Sequence, residues 1–361
     1  MPTTIFAEGA PTIAAARTAP KWWRYTRRTL LVLAILFAAL ILCGATYQFF
    51  ATISDARRFP RQGRSVQLGP EFNYLKLNLD CSGSGGPTVI LDSGGGVPAI
   101  GWKFVQADVA KFTHVCSYDR AGYGWSGPGP KPRTSLQIVK ELHALLAAAG
   151  EKPPYVLVGH SIGGYNVRVY AGQYPAEVAG MVLVDASHED QVQRMPPALQ
   201  AFTQKQLAQI KWQQVLAPVL IYSGVARLVV ARDTSGPLPA DFRRELHYLQ
   251  LQPKAFEAAF SETTSFLESA EQVRSAGNLG DRPLVVLTAG KDPDPKLLPK
   301  GLSPKDFSDF REVWVKDLQV REAHLSSRGK QIIVPDSDHM IPFERPDTIT
   351  AAIREVSHSV P

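Results

Sequence analysis

The sequence predicts an α/β fold: a mostly parallel sheet with helices on both faces, a helical cap, and one transmembrane helix ahead of the domain. Three observations predict it. Short apolar runs rich in Val, Ile and Leu alternate with longer stretches of helical period from Thr88 onward, the pattern of strands buried on both faces. About a hundred residues between Asp185 and Pro283 are patterned as helices, too long for a connecting loop and sized for a cap. Leu30 to Phe50 carries no charge, and as a helix it would span about 31 Å, the thickness of a hydrocarbon core.

With 361 residues the chain can bury a large core in one domain and still carry an insertion. Hydrophobic residues at 45% and charged residues at 20% exclude a disordered chain. The net charge of +6 comes partly from basic residues flanking the apolar run, so it reads as a topology signal. No basic stripe interleaved with aromatics occurs elsewhere, which argues against nucleic-acid binding. Neither a Cys-x-x-Cys pair nor a His/Cys cluster indicates zinc, and no metal or organic cofactor is implied.

Residues 1–28 form the first segment. Met1 to Pro20 is rich in Ala, Thr and Pro and is expected to be disordered; Lys21 to Arg28 is basic and aromatic, as at a membrane interface. The anchor occupies 29–50. It is apolar on all faces, unlike a core helix, and too long for a cleaved signal. Arg17, Lys21, Arg24, Arg27 and Arg28 precede it and Arg57, Arg58, Arg61 and Arg64 follow. The tight cluster against the N-terminal end favours that end inside and the domain outside the cytoplasm, periplasmic or extracellular. Residues 51–64 read as a polar linker, and 65–361 as the main domain, with the cap at about 187–280.

Within the domain, Val66 to Leu68 and Asn73 to Leu79 alternate as an antiparallel hairpin. Thr88 to Asp92 is a continuous apolar strand ending in Ser93-Gly-Gly-Gly96. Trp102 to Lys111 reads as a helix, Phe112 to Tyr118 as a strand and Thr134 to Ala149 as a helix. Strands follow at Tyr155 to Gly159, Met181 to Asp185, Pro283 to Thr288 and Gln331 to Val334, eight in all, and Ile349 to Val356 closes the chain as a helix. In the cap only Val219 to Tyr222 reads as a strand.

Gly159-His-Ser-Ile-Gly163 lies between a strand and a stretch of helical period, Tyr165 to Tyr174. This is Gly-x-Ser-x-Gly at a strand-to-helix turn, where the glycines allow a tight backbone that lifts the serine hydroxyl at a helix N-terminus. Ser161 is therefore the candidate nucleophile. The bland alternative is an ordinary helix cap. A serine hydroxyl needs a base within hydrogen-bond reach, and the base needs a partner to hold its tautomer.

The chain resembles the α/β-hydrolase superfamily over roughly 65–358, in its lidded esterase, lipase and peptidase-like branch. Five motifs carry the resemblance, in the family's order: Leu91-Asp-Ser-Gly-Gly95, Tyr118-Asp-Arg-Ala-Gly-Tyr-Gly-Trp-Ser126, Gly159 to Gly163, Gly290-Lys-Asp292, and Ser337-Asp-His-Met-Ile-Pro-Phe-Glu-Arg-Pro346. It implies His339, in the loop after the last strand, as the base. It implies Asp292 as the acid, with Asp294 as local rival and Asp185, ending an earlier strand, as the position some relatives use. The oxyanion donors would be the N–H of Ile162 and one from Gly94 or Gly95. His160 is expected to be structural, as are Asp119 and Arg120. His188, near the start of the cap, could touch substrate but is expected not to. Trp102 and Trp125 could line the pocket or pack in the core. The strands of Cys81 and Cys116 are neighbours in the resembling fold, so the two could form a disulfide, implying an oxidising compartment, or remain buried thiols.

The implied activity is hydrolysis of an ester or acyl bond of a small molecule by a serine carboxylesterase or lipase. A peptidase or C–C bond hydrolase could run on the same residues, and a non-catalytic binding protein could keep the fold. Serine at the nucleophile position argues against epoxide hydrolase or haloalkane dehalogenase chemistry, for which relatives use aspartate.

Overall fold

The computed structural model describes residues 21–232, 238–292 and 298–360. Met1 to Pro20 and Asp294 lie outside the described residues. Eight strands form one sheet: β1 (Arg64–Gln67), β2 (Lys76–Ser82), β3 (Thr88–Asp92), β4 (Val115–Asp119), β5 (Tyr155–His160), β6 (Val178–Val184), β7 (Leu284–Ala289) and β8 (Gly329–Val334). Their order is β1-β2-β4-β3-β5-β6-β7-β8. β2 runs antiparallel to both β1 and β4, and every other pairing is parallel.

The central strands are covered on both faces because their two sets of side chains are both apolar. Tyr155 and Leu157 point into a layer with Leu142, Tyr165 and Met181, whereas Val156 and Val158 join Val105, Val182 and Ile353 on the other face. The covering helices are α2 (Lys103–Val109), α3 (Ser135–Ala149), α4 (Ile162–Gln173) and, at the end of the chain, Pro346–His358. Thr134 caps α3 by accepting from the N–H of Gln137. Cys81 and Cys116 face each other across β2 and β4 and form a disulfide.

After β6 the chain builds a cap from α5 (Gln191–Arg194), α6 (Pro197–Tyr222), α7 (Val225–Val230), α8 (Ala240–Gln250), α9 (Pro253–Thr264) and α10 (Phe266–Arg274). The strand expected at Val219 to Tyr222 is instead the last turn of α6. Its β-branched and aromatic residues suit either state, and the 26-residue helix running into them decides. Beyond β7 come α11 (Pro304–Val313), a π-helical turn at Trp314–Leu318, α12 (Gln319–Ala323), α13 (Ile341–Glu344) and α14 (Pro346–His358).

The N-terminal helix α1 runs from Lys21 to Arg58. It therefore takes in both the basic segment and half of the expected linker. Asp55, past the apolar run, pairs with Arg227 of α7, and Arg58 pairs with Asp241 of α8, which holds these last turns helical against the cap.

Candidate active site

Ser161 sits between β5 and α4 with φ 54° and ψ −124°, a conformation that L-residues rarely adopt. The neighbouring sequence makes it possible. A Cβ on Gly159 would lie 2.5 Å from the carbonyl oxygen of Gly163, and one on Gly163 would lie 2.4 Å from that of Asp92. The flanking glycines are thus a steric requirement of the tight turn. Ser161 N donates to the carbonyl of Val184, tying the turn to β6.

His339 lies in the loop after β8. Its Nδ1 is 2.6 Å from Oδ2 of Asp185, at the C-terminal end of β6. Asp185 is 4% exposed, and its other oxygen accepts from Trp314 Nε1 at 2.8 Å and Ala289 N at 3.0 Å. Burial pushes this carboxyl up, but the bond and charge of His339 with the two further donors hold it below the usual aspartate range. Burial also lowers His339, and Asp185 more than offsets it, so the imidazole stands above its ordinary value. A carboxylate on Nδ1 fixes the tautomer that leaves Nε2 free as a base.

Asp292 is not brought to His339. Its exposed carboxylate pairs with Arg311 of α11 on the surface. The motif Gly290-Lys-Asp292 had pointed to it, but the chain turns outward after β7 and Asp185 occupies the place beside the imidazole.

His160 is buried under this loop, with its Nε2 2.8 Å from the carbonyl oxygen of His339 and the two rings 4.8 Å apart. Burial, then the neighbouring His339, depresses it to about 3, so it stays neutral and donates to that carbonyl. Trp102 is buried edge-on to His160, and Trp125 packs with Phe59 and Ile100 in a small cluster under the cap. His188 is 2% exposed and accepts from the N–H of Asp190, away from solvent.

Gly94 lies directly over the serine turn: a Cβ there would come within 3.3 Å of Ser161 Cβ and 2.8 Å of His160 Nδ1. A Cβ on Gly95 would touch Ile162. The backbone of Gly94 and Gly95 is thus beside the N-terminus of α4, where Ile162 begins the helix.

Arg120 holds that loop in place. Its guanidinium donates to Asp92, to the carbonyls of Ser93 (2.6 Å) and Gly94 (2.9 Å), and to Glu262 of the cap helix α9. All three charged groups are buried. The sequence places Arg120 as architecture, and so it is, but the partner in the cap and the grip on the Gly94 carbonyl carry no local signal. Trp314 was missed for the same reason. Asp119 accepts from the N–H groups of Ala99 and Trp125 and from Asn78, ordering the loop after β4.

Cys81, His114, Cys116 and Glu151 gather within 4.8 Å, a donor set the sequence did not reveal. With the two sulfurs bonded to each other they cannot ligate as thiolates, and His114 pairs with Glu151 instead. Cavities of about 500 and 380 Å³ lie between α1 and the cap, away from Ser161.

A serine on a strained strand-to-helix turn, a histidine loop and an aspartate at the C-terminal edge of a parallel sheet together define a doubly covered α/β hydrolase architecture. The chain belongs to the alpha/beta hydrolase family, whose profile matches residues 89–352. It is 41% identical over 108 residues to the uncharacterised protein YqjL of Bacillus subtilis, covering 30% of this chain and 43% of that protein. It is 32% identical over 108 residues to an uncharacterised vacuolar membrane protein of Saccharomyces cerevisiae, covering 29% and 17%. The chain thus spans less than half the length of these two relatives. Among solved structures, an esterase from Thermogutta terrifontis superposes with a TM-score of 0.54 at 20% identity, covering 82% of this chain and 97% of that one. The epoxide hydrolase CorEH gives 0.61 at 14%, covering 81% and 97%. At such identities the likeness is one of fold.

Proposed function

We propose that this protein is a membrane-anchored serine hydrolase that cleaves an ester or acyl bond of a small molecule through an acyl-enzyme on Ser161. The observation that carries the reading is the 2.6 Å bond between His339 Nδ1 and buried Asp185, in a loop whose carbonyl is held by the residue next to Ser161. His339 Nε2 takes the proton as Ser161 Oγ bonds to the substrate carbonyl carbon. The N–H of Ile162 and one of Gly94 or Gly95 receive the oxyanion. Collapse breaks the bond to the leaving group, which His339 protonates, and water repeats the sequence to free the acid and Ser161. Asp185, not Asp292, is the acid of this reading.

Anchoring is by α1, with the domain outside the cytoplasm. The uncharged run within α1, none of it buried in the protein, and the membrane relative in yeast support the anchoring. The Cys81–Cys116 disulfide supports an oxidising compartment.

The test is a panel of p-nitrophenyl esters of increasing chain length, assayed beside amides, with the full chain in detergent or nanodiscs. The reading predicts ester turnover that Ser161→Ala and His339→Ala each abolish. Substantial residual turnover in either variant would remove that residue from its role.

A further inference from the structure

The cap carries an apolar face that none of the described residues covers. On α6, Trp212, Val215, Leu216 and Val219 recur at i, i+3, i+4 and i+7, so they share one stripe. They are between 54% and 73% exposed, and Leu228 and Val229 of α7 continue the surface at 53% and 62%. From Val215 to Val230 the only charged residue is Arg227, and it is paired with Asp55 of α1. An amphipathic surface helix would place these stripes inward; here the stripe faces out.

The position of the hairpin tip identifies what covers this face. The turn at Ser223 and Gly224, between α6 and α7, packs on Gly44 of α1. A Cβ on Gly44 would lie 2.2 Å from the carbonyl oxygen of Ser223, and one on Gly224 would lie 3.0 Å from that of Gly44. Gly44 is six residues inside Phe50, where the expected anchor at 29–50 ends. At the rise of an α-helix that is a depth of about 9 Å, within the roughly 5–10 Å to which amphipathic helices bury an apolar face in a bilayer. Asp55, with Arg227 on it, stands five residues beyond Phe50, on the water side. The paired charge therefore marks the interface, and the Ser223–Gly224 tip between α6 and α7 lies below it.

We propose that the α6–α7 hairpin of the cap is embedded in the same bilayer leaflet as the C-terminal end of the α1 span, with its stripe against lipid acyl chains. The inference rests on α1 crossing the membrane, as in the proposed function. The cap is thereby a second membrane contact that fixes the domain's tilt on the surface. The cavity of about 380 Å³ lined by Ala45, Phe49, Ile53, Ile221, Tyr222 and Leu251 then opens at leaflet depth.

The test uses the full chain in nanodiscs, carrying Cys43→Ser so that Cys81 and Cys116, bonded to each other, leave no free thiol. Single cysteines at Leu216, Leu228, Leu36 and Lys111 are labelled with nitrobenzoxadiazole. All four side chains are exposed, so the labels displace no core contact. Fluorescence is compared in ordinary and brominated lipid. The proposal expects the labels at 216 and 228 to shift to the blue and lose fluorescence in brominated lipid, as at 36, with 111 unaffected. Loss at 36 without loss at 216 and 228 would overturn it, and would leave the face to water or to a second copy of the chain. No loss at any of the four would mean that α1 itself is not embedded, and the proposal would fall with the anchoring reading.

Discussion

His339 Nδ1 and Asp185 Oδ2 meet at 2.6 Å across 154 residues of chain, the aspartate ending β6 and the histidine following β8. Parallel strands bring their C-terminal ends to one edge, so two residues remote in sequence become neighbours there. If this pair orients the base, Asp185→Asn should lower kcat by up to about 10⁴-fold, because the amide favours the wrong tautomer. Asp292→Asn removes only a surface pair with Arg311, with an effect within about 1 kcal/mol on stability and none on turnover. Parallel kcat measurements on the two variants check this; a crippled Asp292→Asn enzyme beside an active Asp185→Asn enzyme would reverse the assignment.

The pH profile follows from the same pair. The base must be neutral, and Asp185 holds His339 above the ordinary 6.5. kcat/KM should therefore rise with pH through a midpoint above 6.5, and Asp185→Asn should move that midpoint down. Stability has two limbs. The raised His339 contributes below its unfolded pKa, and that contribution is lost as pH rises through the folded value. The lowered Asp185 contributes above 3.8, lost as pH falls through its folded value. A pH–rate profile and a pH series of denaturation midpoints read both.

Arg120 is buried with Asp92 and Glu262 at 2% exposure or less. Arg120→Met would leave two carboxylates unpaired in the interior and release the carbonyls of Ser93 and Gly94. A cost of roughly 3–5 kcal/mol is expected, seen as a lowered midpoint of thermal inactivation. Lys131→Met, which breaks an exposed pair with Glu257, should cost about 1 kcal/mol or less.

The Cys81–Cys116 bond closes a loop of 35 residues. On the chain-entropy account its removal by Cys81→Ser with Cys116→Ser costs about 3–4 kcal/mol. Non-reducing peptide mapping of the membrane-bound protein should find the two cysteines linked. Two free thiols would remove the support for an oxidising compartment.

What the sequence discloses follows how local each signal is. Ser161 and its glycines are legible because the steric demands of the turn fall within five residues. His339 is legible from its place after the last strand. The acid is not, because Asp185 and Asp292 both follow sheet strands, and only the path of the chain after β7 and the indole of Trp314 distinguish them. Glu262 is silent because its partner, Arg120, lies 142 residues away. The helix through Val219 to Tyr222 is hidden by residues that suit strands equally, and the continuation of α1 through the expected linker depends on Arg227, remote in sequence. The continuous apolar runs of β5 and β6 disclose the sheet, whereas the outward stripe on α6 shows only once the direction of each face is known.

The central claim is that Ser161 is an activated nucleophile. A fluorophosphonate probe applied to the full chain in nanodiscs, followed by intact mass and peptide mapping, tests it most directly. The account predicts one adduct, on Ser161, absent from His339→Ala and greatly slowed in Asp185→Asn. An unlabelled Ser161 in folded protein, under conditions where a control serine hydrolase reacts, would contradict it.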